Sequence, residues 1–288
     1  MNIFINSPIL FIVAAVLAFA TLVQGTVAFI TFLRGGHTRR VLVLGMVVCL
    51  LIAVLAGGYV FANDYRHPAL LARDVATLDV LSNGRVECGL GAGFAASDFE
   101  QLGLPFGSPG VCVSRFEEGL QIMKHFFTSE VANFSGAYYT ITQMPALPRP
   151  IQQPHPPLIV GSAGRRTLTI AARQADIIAP TRRWRGRDID PEDASSEEKI
   201  GWIREAAGTR FEQIELSQSA FGIVVTDSPV EVTPLKAGPP VLAQPMTTEQ
   251  VIEHLVNQRE RVGISYIQVQ EGQLENFAPI VARLTDVS

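Results

Sequence analysis

Acidic residues and lysine are missing from the first 63 positions, whose only charges are Arg34, Arg39 and Arg40. A stretch so poor in charge lacks the polar face that a water-soluble domain presents. Cysteine is scarce too. Cys49, Cys88 and Cys112 are too few and too widely spaced for a disulfide framework or a C-x-x-C metal pattern. Cys49 lies in an apolar run and Cys88 in a predicted strand, so buried structural thiols are expected. The chain has no His/Glu metal spacing, no G-x-S-x-G elbow and no Walker pattern. No metal site is assigned, and hydrolase and NTPase chemistry have nothing to rest on. Of the 23 basic residues three precede Asp64, which leaves 20 against all 27 acidic ones. That balance argues against nucleic acid as a partner, because phosphate binding needs a net basic face.

What the first region does have is length without charge. Residues 9–33 and 41–61 are two apolar runs, each long enough to cross a hydrocarbon core of roughly 30 Å as a helix. The turn between them holds all three arginines. By the positive-inside rule it faces the cytoplasm, which sends both ends of the hairpin outward. A cleaved signal peptide fits poorly, because no positive charge precedes the first run. Residues 1–57 are therefore expected to form a two-helix membrane hairpin. The competing reading makes Val54–Val60 a buried parallel strand, apolar on both faces.

After Gly57 strand and helix signals crowd together. Pro68 stands at a helix start, and Leu70, Val75, Leu78 and Leu81 give that helix an apolar face up to Ser82-Asn83-Gly84. A strand over 85–89, a short helix over 98–102, a helix over 111–127 and a hairpin around Phe134–Tyr139 follow. Then come a strand at 158–160, a helix to about Arg173 and a strand at 176–179. Thr181 to Glu198 is polar, and its arginines are followed by an acidic run, as in a solvated loop. A helix to about Ala207, a strand at 221–225 and a Pro-rich stretch at 228–245 come next. Thr247-x-x-Gln250 is a capping box for a helix that stops at Gly263. A strand at 264–269 and a helix at 274–284 close the chain. This alternation predicts parallel βα units and an α/β fold.

Two Gly-rich turns follow strands and precede helices: Gly89-Leu90-Gly91-Ala92-Gly93, and Gly161-Ser162-Ala163-Gly164-Arg165. Glycine permits close backbone approach to a ligand, and a helix start offers free N–H groups to an anion. Taken alone, each turn is a weak signal and reads first as a tight turn at a strand end with no ligand. Asn63-Asp64-Tyr65-Arg66-His67 lies just past a strand end, where parallel folds place active residues. His67 is the group there best suited to titrate near neutral pH.

The blocks NDYRHPALLARDVATLDVLSNGRVECGLGAGF, FEQLGLPF, SRFEEGL, PHPPLIVGSAG, AARQADIIAP and RERVGISYIQV together resemble the luciferase-like monooxygenase superfamily. The closest likeness is to its branch of coenzyme F420-dependent oxidoreductases. The match spans about Tyr59 to Leu284. It implies a (β/α)8 TIM-barrel-like domain over residues 58–288, with a flavin or deazaflavin at the C-terminal strand ends. By that likeness Gly161, Ser162, Ala163, Gly164 and Arg165 hold the cofactor phosphate, and Gly91 and Gly93 border the site. Asn63, Asp64 and His67 would then lie beside the ring. The implied cofactor is coenzyme F420, with FMN as the alternative, and the implied chemistry is hydride transfer or oxygenation of a small organic substrate.

This sequence departs from the family pattern in three places. Cys112 stands where the family usually has Arg, and 228–245 is Pro-rich where relatives carry a helix. The first two βα units have no counterpart before about Gly57, so six barrel strands are expected. A barrel short of two strands exposes two edges, which makes a homo-oligomer one way to complete it. Three readings stay open: a membrane-tethered oxidoreductase, a non-catalytic membrane-tethered relict or interaction domain, and residues 1–57 arising from a fusion or an altered reading frame. The expected location is the membrane if the hairpin is genuine and the cytoplasm otherwise.

Overall fold

Six short strands run parallel in one sheet, and their spatial order follows the chain: β1 (Phe61–Ala62), β2 (Cys88–Gly91), β5 (Leu158–Ser162), β6 (Ile177–Pro180), β9 (Glu215–Ser219) and β12 (Ile264–Gln268). The computed structural model describes residues 61–93, 96–185, 188–220, 223–226, 244–269 and 273–285. The two expected membrane spans, 9–33 and 41–61, lie outside these residues except for Phe61, which is a strand residue. Among the described residues no helix is long and apolar enough to cross a membrane.

Helices fill the crossovers, as parallel strands require. They are α1 (Pro68–Ser82), α2 (Ala96–Leu102), α3 (Pro109–Thr128), α4 (Arg165–Gln174), α5 (Ser196–Ala207), α6 (Thr248–Val262) and α7 (Leu274–Thr285). Local chemistry sets their ends. Pro68 opens α1, and Asn83 closes it at φ 59°, in the left-handed conformation that Asn tolerates. Thr247 and Gln250 form the expected capping box on α6, and Gly263 ends that helix at φ 82°. A second box, Ser195 with Glu198, opens α5. The core lies between the sheet and α1, α3, α4 and α5, with Phe116, Leu120, Met123, Leu158, Leu168 and Ile178 fully buried. A smaller cluster joins Ile223, Val251, Leu255, Phe277 and Ile280 around α6 and α7.

Two antiparallel hairpins stand outside the sheet: β3 (Val131–Ser135) with β4 (Thr140–Pro145), and β7 (Trp184–Arg185) with β8 (Asp188–Ile189). The segment after β6 is held by Lys199, whose side chain is 2% exposed. It donates to the Thr181 carbonyl at 2.8 Å and to Asp193 Oδ2 at 2.6 Å.

The sequence reading needs three corrections. The fifth strand of the sheet is β9, Glu-Leu-Ser-Gln-Ser, and not 221–225. Its residues alternate no apolar pattern, yet neighbours on both sides hold it extended and leave Ser217 only 1% exposed. Residues Ile223–Val225 instead form β10, a short parallel pair with β11 (Gln244–Met246). The strand expected at 85–89 lies at Cys88–Gly91, so Gly89 and Gly91 are strand residues and the turn begins at Ala92.

Candidate functional site at the strand ends

Because all six strands are parallel, their C-terminal ends share one edge of the sheet. The segments that leave those ends include Asn63–Tyr65 after β1, Ala92–Gly93 after β2 and Ala163–Gly164 after β5. Strand β2 lies between β1 and β5, so the first and third of these segments are roughly 10 Å apart, two strand spacings.

Leaving β1, the chain makes a short 3-10 turn, Asn63–Tyr65, and then enters α1. Asn63 is 1% exposed. Its amide nitrogen donates both hydrogens, to Asp64 Oδ1 at 3.1 Å and to the Tyr139 hydroxyl at 2.9 Å. The Asn63 oxygen is buried without a hydrogen-bond partner and lies where a Cβ on Gly119 would collide with it. Glycine at 119 therefore lets α3 approach the end of β1. Asp64, with its side chain 5% exposed, pairs with Arg115 of α3 at 3.2 Å. His67 caps α1, its Nδ1 accepting from the Ala69 N–H at 3.3 Å. A neutral His67 consequently carries its proton on Nε2. Burial of part of the ring lowers its pKa below the usual histidine value.

Tyr139 reaches this cluster because a carboxylate on α3 grips the hairpin that carries it. Glu118 accepts from the backbone N–H groups of Ala137, Tyr138 and Tyr139 at 2.7, 3.0 and 3.1 Å. A side chain at Gly136 would displace that carboxylate. The Tyr139 ring meets His67 edge-on, with centroids 5.3 Å apart. Burial pushes the phenol pKa up, against the lowering effect of the Asn63 hydrogen bond, so Tyr139 stays protonated at neutral pH. With its oxygen accepting from Asn63, its own O–H remains free to donate. Cys112 lies on the same face of α3, buried, its thiol raised by burial and then by Asp64. The guanidinium that meets Asp64 thus comes from Arg115, one turn beyond the cysteine.

The second cluster surrounds the start of α4. Gly161 and Ser162 are the last residues of β5, Ala163 links them to the helix, and Gly164 is its N-cap. Ser162 Oγ accepts from the Gly164 N–H at 3.1 Å. A Cβ built on Gly164 meets only two hydroxyls, Ser162 Oγ and Thr167 Oγ1, each at 4.0 Å. That is a small hollow lined by hydroxyls at a helix N-terminus, where backbone N–H groups and the helix dipole favour an anion. These residues fit a phosphate group. The Arg165 guanidinium turns sideways, bonding Glu205 at 3.3 Å and lying over the Trp202 ring. Between the two clusters, Gly91 pairs with Ala62, and Gly93 adopts φ 80°, a conformation that glycine takes without strain.

The structure thus groups Asn63, Asp64 and His67 in one cluster and Gly161 to Gly164 in another on the same edge. Tyr139, Arg115 and Glu118 escaped sequence reasoning as site residues. The signal for them was faint: the pair Tyr138-Tyr139 at a hairpin turn, and a polar strip on an otherwise core-facing helix.

The chain belongs to the luciferase-like monooxygenase family, whose model matches residues 58–233. Over 144 residues it is 30% identical to an F420-dependent glucose-6-phosphate dehydrogenase of Microbacterium testaceum, covering 49% of this chain and 42% of that protein. It is 29% identical over 109 residues to an FMNH2-dependent dimethylsulfone monooxygenase of Pseudomonas putida, covering 38% and 30%. The chain therefore spans less than half the length of these curated relatives. Among solved structures, a long-chain alkane monooxygenase superposes with a TM-score of 0.61 at 16% identity, covering 82% of this chain and 72% of that one. An F420-dependent secondary alcohol dehydrogenase in complex with an F420-acetone adduct gives 0.56 at 17%, covering 73% and 71%. These similarities establish the TIM-barrel-type α/β fold.

Proposed function

We propose that this domain is an oxidoreductase that uses coenzyme F420, with FMN as the alternative, on a small organic substrate. The observation that carries the reading is the hydroxyl-lined hollow at Gly164, one sheet edge shared with the Asn63 cluster. Named relatives of both cofactor types support it. Bound there, the cofactor would supply hydride transfer, or oxygen activation in the flavin case.

The chain's own residues would bind and orient. Ser162, Gly164 and the first N–H groups of α4 would hold the phosphate. Gly93 would let the ring portion pass close to the backbone. Asn63 and Asp64, buried and bonded on their inner sides, would act as a fixed wall. His67 and Tyr139 present the groups that can hold or move a proton, at Nε2 and at the phenol oxygen. Titration of the full chain with oxidised F420 and with FMN, followed by fluorescence, tests the reading. No saturable binding of either at high micromolar concentration would overturn it. Association with a membrane, and location there, rest as a proposal on the apolar runs 9–33 and 41–61 alone. Self-association rests likewise on β1 and β12, which end the sheet among the described residues.

A further inference from the structure

The strand-end site occupies the C-terminal edge of the sheet, and the helices carry the chain back to the N-terminal edge. At that second edge stand exposed aliphatic side chains: Val80, Leu81, Val131, Leu147 and Ile151, with Leu81 59% and Leu147 61% exposed. Val80 and Leu81 lie in the last turn of α1, beyond its core-facing residues Leu71, Ala72, Val75 and Ala76. Val131 opens the β3–β4 hairpin, and Leu147 and Ile151 belong to the Pro-rich crossing that leads into β5.

Hydrogen bonds bring these residues together. The Asp79 carboxylate accepts from the Ile151 and Gln152 N–H groups at 2.7 and 2.9 Å, and a Cβ on Gly84 would lie 3.4 Å from Ile151 Cγ2. Ile151 is thereby fastened beside the end of α1. The Ala146 N–H donates to the Glu130 carbonyl at 3.0 Å, and Pro145 is the strand partner of Val131, which sets Leu147 beside Val131. Single exposed aliphatic residues are ordinary, but a neighbouring set marks a surface that meets an apolar phase or partner.

The direction of the chain names the occupant. Strand β1 runs from Phe61 towards the C-terminal edge, so the chain enters the sheet from the N-terminal side. The residues leading into it, 41–61, are a run without charge and long enough to span a bilayer. We infer that the N-terminal edge of this domain rests on a lipid bilayer, with Leu81, Leu147 and Ile151 at the boundary between headgroups and acyl chains. This rests on the membrane reading above, which concerns the presence of a bilayer and not the side of the domain that meets it. Arg85 suits the same surface. Its guanidinium donates to the Ser82 carbonyl at 2.7 Å, and among the described residues it has no carboxylate partner, which leaves donors for a lipid phosphate. The carboxylates nearby are engaged within the protein: Asp79 by the crossing, Glu87 by the Tyr266 hydroxyl at 2.7 Å, and Glu130 facing Arg149 at 3.9 Å. In this orientation the strand-end site opens away from the lipid, towards the water that carries a charged cofactor.

The test uses the full chain with Cys49→Ser and one added cysteine, Leu81→Cys, Ile151→Cys or Leu70→Cys; Cys88 and Cys112 are buried. Leu70 is also exposed but lies near the other end of α1, about 16 Å from Leu81 along the axis. Each variant carries an environment-sensitive fluorophore and is reconstituted in vesicles of phosphatidylcholine and phosphatidylglycerol. Spin-labelled lipid should quench the fluorophores at positions 81 and 151 several-fold more than the one at 70, and aqueous iodide should do the reverse. Equal quenching of all three by iodide, in protein that floats with the vesicles, overturns the docking face while the membrane reading stands. Protection from iodide without quenching by lipid means that a second copy or another protein covers the face, and overturns it too. Protein that does not float with the vesicles overturns both readings. A second measurement places the fluorophore at Leu147→Cys and adds Leu81→Glu with Ile151→Glu. Quenching by lipid should then fall several-fold with the thermal melt unchanged, and undiminished quenching overturns the inference.

Discussion

Asn63 donates to the hydroxyl of Tyr139 at 2.9 Å, joining the end of β1 to a hairpin 76 positions further along the chain. The hairpin belongs to no sheet strand, so the contact depends on the Glu118 carboxylate that grips its turn. Removing one element should therefore be felt at the other.

Glu118→Gln keeps the size of the side chain and weakens its hold on three N–H groups. Charge-assisted bonds are about twice as strong as neutral ones, so a loss of about 1–2 kcal/mol of stability is expected. Urea unfolding measures it. If the hairpin positions Tyr139, cofactor affinity should fall in the same variant, whereas Glu253→Gln on α6 should change neither.

Gly119→Ala should be costly although alanine suits a helix. The new methyl collides with the Asn63 oxygen, and overpacking a tight site costs about 1–3 kcal/mol. Gly201→Ala, whose Cβ meets nothing within 4 Å, is the control and should be neutral or slightly stabilising. Thermal melts of both variants make the comparison.

Lys199→Met leaves the buried Asp193 carboxylate without its ammonium partner, and about 3 kcal/mol should be lost. Burial alone would raise the Asp193 carboxyl, but hydrogen bonds from Lys199 and the Arg183 N–H outweigh it and hold the pKa below the usual carboxylate range. A depressed folded pKa gives stability that is present above about pH 4 and lost as pH falls through the folded value. The native protein should show this loss in acid, and the Lys199→Met variant should show less of it.

His67 acts in the same direction at a higher pH. Its folded pKa is lowered, so the neutral form is favoured in the fold. The associated stability is present above about pH 6.5 and lost as pH falls through the folded value. Imidazole NMR, assigned by comparison with His67→Asn, should place its midpoint below about 6.5. A midpoint at or above that value would contradict the assignment.

Cys88 is fully buried and its thiol is pushed up to about 12. It should resist alkylation at neutral pH until the domain unfolds, with a rate that follows global opening. Mass spectrometry of the modified peptide reads the site directly.

The helices were the most legible part of the chain. Pro68, Asn83-Gly84, and Thr247 with Gln250 each impose a local geometry that no distant contact needs to supply. Strand β9 was not legible, because Glu-Leu-Ser-Gln-Ser owes its extended form to β6 and β12 rather than to any pattern of its own. The glycines of β2 mislead for a related reason: Gly89 and Gly91 look like a loop and are held straight by neighbours. At the site, Asn63 and Gly164 could be marked from sequence by their place after strands. The aim of Arg165 could not, since only the fold brings Glu205 and Trp202 beside it. Tyr139 was hidden by distance along the chain.

On α3, Arg115 and Phe116 stand three and four residues beyond Cys112, Gly119 stands four beyond Arg115, and each has a task at the same strand end or in the core below it. A helix turns about 100° per residue. One residue inserted or deleted before Cys112 would shift nothing that a compensating loop could not absorb. The same change between Arg115 and Gly119 would swing the glycine away from Asn63, or the arginine away from Asp64. The helix therefore works as a keyed shaft: many substitutions along it are tolerable, and its angular phase is not negotiable.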